Sequence, residues 1–251
     1  MKTAVDLLRE VPLLSSDDYA TRARSILRDD LYREALVADN RGALAGYIDI
    51  SDVLRVGATR SNVTVDGFVR EAPSVTPGES LERIGALLRE YRTDSVAVVG
   101  EDRSVLGGVL LAEVFPILLM RHEPGGVVGD LMSTRVVTVD AGEPASRVQA
   151  LVQESGFSAF PVLKRQQLVG MISRRDLLAS GRVRRPSEVK LAVEAVMTTP
   201  AITVSPDERV SDAARQLCRH DISRMPVVDG GRVVGIFDRH DVLRALALAE
   251  D

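Results

Sequence analysis

Cysteine is nearly absent from this sequence, which contains Cys218 alone among its 251 residues. A chain with one cysteine cannot form a disulfide within itself, so no disulfide framework is expected and a reducing compartment fits. Cys218 falls on the apolar face of a predicted helix, and we interpret it as a small core residue.

Long apolar runs are missing as well. No segment reaches the roughly 18 apolar residues that a membrane-spanning helix needs, and the most apolar run, 114–120, is short and contains Pro116. Residues 1–6 lack the long apolar stretch of a secretory signal. These absences predict a cytoplasmic protein without a membrane partner.

Basic charge is not in excess, because the net charge is -4 and the isoelectric point is near 5.5. A nucleic-acid partner is therefore not favoured, since such proteins usually carry a basic footprint. One basic stretch, 174–190, is interpreted as a solvated linker, with an anion or phosphate contact as the alternative. Its members are Arg174, Arg175, Arg182, Arg184, Arg185 and Lys190.

Catalytic and metal-binding patterns are also missing. His122, His220 and His240 are scattered without the spacing of a metal site. The sequence shows no nucleophile with a nearby base and no phosphate-binding loop of the P-loop type. An enzyme is therefore the least supported class, and no cofactor is expected to be required.

A short pattern that occurs four times organises the chain. It has an apolar residue two positions before a glycine, two mostly apolar residues after it, and an acid six positions after it. The glycines are 61, 63 and 65 residues apart (46 to 107, 107 to 170, 170 to 235). A fixed long period indicates one structural unit used four times. The four copies pair Gly46 with Asp52, Gly107 with Glu113, Gly170 with Asp176, and Gly235 with Asp241.

Each repeat predicts the element order β-α-β-β-α. A short strand ends in a capping residue with an acid three positions later, which predicts the start of the first helix. Two strands joined by a turn follow, and a second helix starts at the acid of the repeated pattern. The capping residues are Ser15, Thr76, Asp140 and Ser205.

The fold class predicted from this order is α+β, with α/β-type repeats. The predicted boundaries are 1–60, 61–122, 123–186 and 187–251. A unit of about 60 residues buries too little surface to be very stable alone, so we expect the units to pack as two pairs. The Pro-Gly-Gly sequence at 124–126 is the most flexible joint and predicts pairs at 1–122 and 123–251.

Four features of the last repeat carry a family resemblance. They are the strand and cap at 200–206, the segment 224–229, the glycine segment 233–236 and the acid Asp241. With these features the sequence resembles the cystathionine-β-synthase (CBS) domain family over essentially its whole length. The resemblance implies pseudo-two-fold pairs of domains, with clefts that bind AMP, ADP, ATP or S-adenosylmethionine as regulatory ligands.

The resemblance also implies residue roles, which are clearest in the third repeat. In the family, the acid of Gly-x-x-Ser/Thr-x-x-Asp holds the ribose hydroxyls and the Ser/Thr touches phosphate. That motif is intact at 170–176, so Asp176 is expected at the ribose and Ser173 at the phosphate. Val136 and Phe160 are expected to flank the base. The alternative is that Ser173 and Asp176 simply form a capping box.

The fourth repeat has Asp241 at the ribose position but Asp238 at the Ser/Thr position. A carboxylate about 4 Å from a phosphate costs about 4 kcal/mol at an effective dielectric near 20. Unless Arg224 or Arg239 offsets this cost, the site should prefer a nucleoside or a cationic adenosyl compound. Ile202 is also expected to contact the ligand.

The first two repeats depart further from the motif. The first has Asp49 and Asp52, which raise the same charge problem while keeping Asp52 at the ribose position. The alternative is that acids such as Asp49 and Asp238 are helix caps. The second has Leu110 and Glu113, so no phosphate contact is expected there.

The sequence therefore predicts a non-catalytic regulatory protein that binds adenosyl ligands. It would signal through a change in conformation or oligomeric state, as a homodimer acting on a separate protein target. One alternative is a structural or interaction module with empty clefts. Another is a nucleic-acid-binding protein that uses the 174–190 stretch.

Overall fold

Short strands that form four similar hairpins organise the fold. The computed structural model describes residues 2–27, 32–49, 51–52, 62–155, 157–179 and 191–248. The strands are β1 (Leu13–Ser15), β2 (Glu34–Ala38), β3 (Leu44–Asp49), β4 (Ser74–Val75), β5 (Ser95–Val99), β6 (Val105–Leu110), β7 (Val139–Asp140), β8 (Ala159–Lys164), β9 (Gln167–Ser173), β10 (Arg224–Asp229) and β11 (Arg232–Asp238).

Each hairpin is antiparallel, and in the first three repeats a short strand joins it in parallel. The sheet orders are β1-β2-β3, β4-β5-β6 and β7-β8-β9, and β10-β11 forms a two-stranded sheet. The strand that the sequence predicts at 201–204 is reduced to a single bridge between Val204 and Val227. Mixed sheets with intervening helices confirm the predicted α+β class.

All four hairpins carry the same irregularity just before the glycine. In the first hairpin Val37 pairs with Gly46 while Ala38 pairs with Leu44, so one extra residue is accommodated on β3. The equivalent shifts lie at Val98/Val99, Val162/Leu163 and Val227/Val228. A β-bulge at four equivalent places is the structural counterpart of the sequence repeat.

The helices connect and flank these hairpins. In the described part of the chain, none is both long enough and apolar enough to cross a membrane. The helices are α1 (Ala20–Ile26), α2 (Leu81–Tyr91), α3 (Leu111–Arg121), α4 (Val128–Leu131), α5 (Ala145–Ser155), α6 (Arg174–Ala179), α7 (Val210–Arg219) and α8 (Arg239–Ala245), with 3-10 turns at Ala4–Leu7, Asp66–Phe68 and Val193–Ala195.

The predicted start of the first helix is wrong in every repeat, and by the same amount. The helices begin at Ala20, Leu81, Ala145 and Val210, five residues after the predicted caps Ser15, Thr76, Asp140 and Ser205. The caps belong instead to turns that precede the helices. In the fourth repeat the hydroxyl of Ser205 donates to Asp207 at 2.5 Å, and the amide of Glu208 donates to the carbonyl of Ser205 at 3.3 Å.

The backbone of these turns accepts hydrogen bonds from a segment of another repeat. The carbonyl oxygens of Pro206 and Glu208 accept hydrogen bonds from the amides of Gly129 and Val128, at 2.8 and 2.9 Å. In the first half of the chain, the carbonyl of Pro77 accepts a bond from the amide of Val5 at 2.9 Å. Backbone hydrogen bonds therefore connect repeat three to repeat four, and repeat one to repeat two.

The predicted amphipathic helix of the fourth repeat is confirmed. The α7 residues Val210, Ala213, Ala214 and Leu217 are all fully buried. Cys218 is half-buried rather than a full core residue, and burial raises the pKa of its thiol.

The contacts divide the described chain into two units. The first unit comprises the described residues up to Pro124 together with Leu246 to Leu248, and the second comprises Gly125–Ala245. Leu248 packs in the first unit beside Gly85, where a Cβ built on that glycine would lie 3.0 Å from the leucine. The four repeat boundaries proposed from the sequence stay predictions.

Candidate ligand-binding site

A backbone bridge joins each repeat to its partner within a unit. In the second unit the amide of Met171 donates to the carbonyl of Thr198 at 2.9 Å, and the amide of Thr198 donates back at 2.8 Å. Met171 directly follows the repeat glycine. Thr198 lies in the segment that precedes the first β-segment of the partner repeat, and we call this segment of each repeat its lead-in segment. The equivalent bridges are Arg9 with Gly108, Arg70 with Tyr47 and Ser133 with Ile236.

We call the four lead-in residues Arg9, Arg70, Ser133 and Thr198 the bridge positions. They explain why the repeated pattern needs a glycine. A Cβ built on Gly170 would lie 2.5 Å from the carbonyl oxygen of Thr198, a distance that side chains do not tolerate. Gly46 and Gly107 are crowded in the same way by the carbonyl oxygens of Arg70 and Arg9, whereas Gly235 is crowded chiefly by the side-chain sulfur of Met132.

Asp176 lies in the first turn of α6 and is half-buried. Its Oδ2 accepts hydrogen bonds from the amide and the hydroxyl of Ser173, both at 2.7 Å. The amide of Asp176 donates to the Ser173 hydroxyl at 3.3 Å. The capping box weighed in the sequence analysis is therefore present. Among the described residues, Oδ1 receives no hydrogen bond and is left to accept others.

The residues expected beside the base differ in exposure. Phe160 is fully buried on β8 and belongs to the core, whereas Val136 is half-buried. Phe157, which the sequence analysis missed, is also half-buried, and its ring centroid lies 6.5 Å from that of Phe160. The guanidinium of Arg135 lies 5.4 Å from the centroid of Phe157, within the range of a cation–π contact.

The acids of the fourth repeat are buried and already paired. Asp238 and Asp241 form a reciprocal cap, with amide-to-carboxylate bonds of 2.9 and 3.0 Å. Arg244, one turn further along α8, donates to Asp241 Oδ1 at 2.7 Å, so both carboxylate oxygens are engaged. Arg224 is the ladder partner of Asp238. Ile202 is half-buried ahead of the Val204 bridge.

The first repeat holds its acid differently. Asp52 is buried, and its Oδ2 accepts a bond from the amide of Asp49 at 3.0 Å. Its Oδ1 accepts a bond from Arg70 at 2.6 Å. Burial alone would lower the pKa of Arg70, but the hydrogen bond and negative charge of Asp52 outweigh burial and raise that pKa. The arginine comes from the partner repeat's lead-in segment.

The second repeat mirrors this pairing. The Nε of Arg9 donates to Oε1 of Glu113 on α3. Glu113 Oε2 is buried and has no hydrogen bond within the described residues. The lead-in segment of each repeat in the first unit thus supplies an arginine to the acid of the other.

Comparison with known proteins agrees with this architecture. The sequence profile of the CBS domain matches residues 128–181 and 193–248. CBS domain-containing protein YhcV of Bacillus subtilis is 30% identical over 109 residues, which cover 43% of this chain and 77% of YhcV. The chain belongs to the CBS domain family.

The similarity to known proteins extends over both units of the chain. Protein MJ1404 of Methanocaldococcus jannaschii is 28% identical over 262 residues, covering 96% of this chain and 61% of MJ1404. The chain thus spans under two thirds of that relative. The crystal structure of MJ1225 from the same organism superposes with a TM-score of 0.79 at 17% identity, covering 97% of this chain and 99% of that one. That likeness supports the CBS fold.

A buried carboxyl in the first unit was also missed in the sequence. Glu34 opens β2 and accepts hydrogen bonds from the Asp94 amide at 3.0 Å and the Ser95 hydroxyl at 2.8 Å. Burial, followed by the nearby charge of Asp94, raises its pKa to about 8. The hydrogen bonds of Glu34 therefore connect its repeat to the next repeat, in which Asp94 and Ser95 lie.

Two other features considered in the sequence are a metal site and the basic stretch 174–190. Among the described residues, no group of three His, Cys, Asp or Glu side chains is placed to hold a metal ion. Within the basic stretch, Arg182, Arg184, Arg185 and Lys190 lie outside the described residues.

Proposed function

We propose that this protein is a non-catalytic regulatory CBS protein that binds an adenosyl ligand in its second unit, with Asp176 reading the ribose. The observation that carries the proposal is the state of the Asp176 carboxylate. It is half-buried and oriented through Oδ2 by Ser173, while Oδ1 accepts nothing within the described residues.

A carboxylate in that state suits a ribose. The two ribose hydroxyls are donors, and hydrogen bonds to an ionised acceptor are stronger than neutral ones. Because Ser173 already fixes the carboxylate, little side-chain freedom is lost when the ligand binds. The capping role and the ligand role of Asp176 are therefore compatible.

The phosphate role expected for Ser173 has a condition. Its hydroxyl proton is donated to Asp176, so it can donate to a phosphate only after that bond breaks. The nucleoside part should then supply most of the affinity. Adenosine and S-adenosylmethionine belong in any ligand screen beside AMP, ADP and ATP.

The base would lie against the half-buried side chains near the third repeat's lead-in segment. Val136 and Phe157 are accessible enough to touch it, and Arg135 stacks on Phe157 at 5.4 Å. Phe160, which is fully buried, would support that surface from below.

The fourth repeat is the weaker candidate of the second unit. Arg244 donates a hydrogen bond to Asp241 Oδ1 at 2.7 Å. This bond must break before Asp241 can accept hydrogen bonds from the ribose hydroxyls. Asp238 would still oppose a phosphate. A nucleoside or a cationic adenosyl compound remains the best match to Asp241, Asp238, Arg224 and Ile202.

Regulation would follow from differential binding. A ligand shifts a conformational equilibrium only by as much as its affinity differs between the two states. We propose that the output passes to a separate protein or to the oligomeric state of a homodimer. Sedimentation with and without ligand tests the second route.

A thermal-shift screen tests the proposal. Adenosine, AMP, ADP, ATP and S-adenosylmethionine are each added to wild type, Asp176→Asn and Asp241→Asn. A ligand at 100 times its dissociation constant should stabilise the wild type by about 2.7 kcal/mol. The response should vanish in Asp176→Asn and survive in Asp241→Asn, which loses a similar cap.

The screen also contains the outcomes that oppose the proposal. A flat wild-type response to all five ligands favours the interaction-module alternative. A response that survives in Asp176→Asn but disappears in Asp241→Asn moves the site to the fourth repeat.

A further inference from the structure

The bridge positions occur at the same period as the repeat glycines. Arg9, Arg70, Ser133 and Thr198 are 61, 63 and 65 residues apart (9 to 70, 70 to 133, 133 to 198), as are the glycines. Each pairs with the residue after its partner's glycine. The four positions are therefore structurally equivalent, and each lies in the partner repeat of one motif acid.

The residue type at this position separates the two units. Both bridge positions of the first unit are arginines, and both arginines pair with the motif acid of the partner repeat. Both bridge positions of the second unit, Ser133 and Thr198, carry short hydroxyl side chains and are exposed. A hydroxyl side chain has neither the charge nor the length to replace the arginine.

The consequences differ between Asp52 of the first repeat and Asp176 of the third. The Asp52 side chain is 4% exposed and both of its oxygens are hydrogen-bonded, one of them to Arg70. Asp176, across the bridge from Thr198, keeps Oδ1 without a hydrogen bond in the described part of the chain. A ribose would have to displace a charged partner in the first case and only water in the second.

We propose that an arginine at the bridge position turns the partner repeat's acid into an internal ion pair, whereas a hydroxyl residue there leaves the acid open to a ligand unless an arginine of the acid's own helix pairs with it, as Arg244 does with Asp241. The first unit is then a self-paired scaffold, and adenosyl binding is confined to the second unit. This inference rests on the proposed function for the identity of the ligand. The ion pairing itself does not depend on any ligand.

The inference can be tested by transferring the arginine. In the first unit an arginine at the bridge position pairs with the acid of the partner repeat. Thr198→Arg places an arginine at the equivalent position of the second unit, across the bridge from Asp176. Titration calorimetry with adenosine, AMP and S-adenosylmethionine should show binding at least about tenfold weaker than wild type. Thr198→Gln, which is long but uncharged, should weaken binding much less.

A second variant checks the first unit. Glu113→Gln removes an acid that Arg9 holds, and ligand affinity should stay at the wild-type value. Equal weakening by Thr198→Arg and Thr198→Gln, no weakening by either, or loss of binding in Glu113→Gln would each overturn the inference.

A ligand-free arm separates this inference from the proposed function. Urea unfolding of Arg70→Thr, Asp52→Asn and the double variant should give non-additive losses, because the residues are in contact. The cycle of Thr198→Arg with Asp176→Asn should show a new coupling. If wild type binds none of the ligands, the proposed function fails, but these cycles still test whether a bridge-position arginine pairs with the partner repeat's acid. Additive losses in both cycles contradict that pairing.

Discussion

The two units of this chain share one scaffold but differ in what the bridge positions supply to the acids of the repeated pattern. In both, a lead-in segment bridges the strand after the partner's glycine with a pair of backbone hydrogen bonds. In the first unit that segment also brings an arginine to the acid, as Arg70 does for Asp52. In the second unit it brings a hydroxyl residue, and Asp176 is left with an oxygen available.

The comparison shows that keeping an acid at the ribose position does not by itself keep a ligand site. Asp52 and Asp176 occupy equivalent positions, yet only Asp176 has an oxygen that accepts nothing in the described structure. The deciding residue lies in another repeat. Four measurements on matched variants test this difference between the units.

The largest effect is expected from the pH dependence of the first unit. Burial raises the pKa of the Glu34 carboxyl from its ordinary value of 4.5 to about 8. The folded state therefore holds the proton more tightly, and stability is lost as pH rises from about 4.5 to about 8. At about 1.4 kcal/mol per pH unit the loss is at most about 5 kcal/mol.

Glu34→Gln removes this titration, and its oxygen can still accept from the Asp94 amide while its NH2 group can donate to the Ser95 hydroxyl oxygen. Urea unfolding at several pH values should show that the unfolding free energy of the variant increases relative to that of wild type as the pH rises from about 4.5 to about 8. The equivalent position in the second unit, Ala159, offers no carboxyl. A constant difference between the Glu34→Gln and wild-type curves would contradict a buried, proton-holding Glu34.

The next effect tests what the units share. Gly46→Ala and Gly170→Ala each force a Cβ against the partner's lead-in segment, and each should cost about 3 kcal/mol of unfolding free energy. Gly78→Ala is the control, because a Cβ there meets nothing within 4 Å. A severe effect in one unit with none in the other would refute a common scaffold.

A smaller effect distinguishes the two arginines of the first unit. Arg70→Gln should cost about 2 kcal/mol, because it leaves Asp52 buried without its charged partner. Arg9→Gln should cost less than about 1 kcal/mol, because the Glu113 side chain is 20% exposed against 4% for Asp52. Denaturation midpoints measure both, and the reverse ranking would contradict the burial argument.

The smallest effect concerns the accessible aromatic of the second unit. Arg135→Ala removes the cation–π contact with Phe157 and should cost about 0.5 kcal/mol. Arg121→Ala, which removes an ion pair with Glu82 in the first unit, is the comparison. A change in ligand affinity on Arg135→Ala alone would show that the stacked pair faces the ligand.

The repeat and its element order were predictable because a glycine and an acid recur at a fixed period. The helix starts were not, although Ser205 and Glu208 match a capping box. Those residues form a turn whose carbonyl oxygens accept hydrogen bonds from the lead-in segment of another repeat. Contacts between repeats compete with local capping, and a local pattern cannot show them.

The site was predictable in part for the same reason. The acids and Ser173 stand out by spacing within one repeat, and the structure brings Ser173 and Asp176 together. The pairing of Arg9 and Arg70 with those acids was missed, although both arginines follow the period of the glycines. Their partners lie in the neighbouring repeat, which the period alone does not identify.

The most direct test of the account is the number of adenosyl ligands bound by each chain and its dependence on two acids. Titration calorimetry with adenosine, AMP and S-adenosylmethionine is run on wild type, Asp176→Asn and Glu113→Gln. We expect one site per chain, lost in Asp176→Asn and unchanged in Glu113→Gln. Binding that survives in Asp176→Asn and disappears in Glu113→Gln would contradict it.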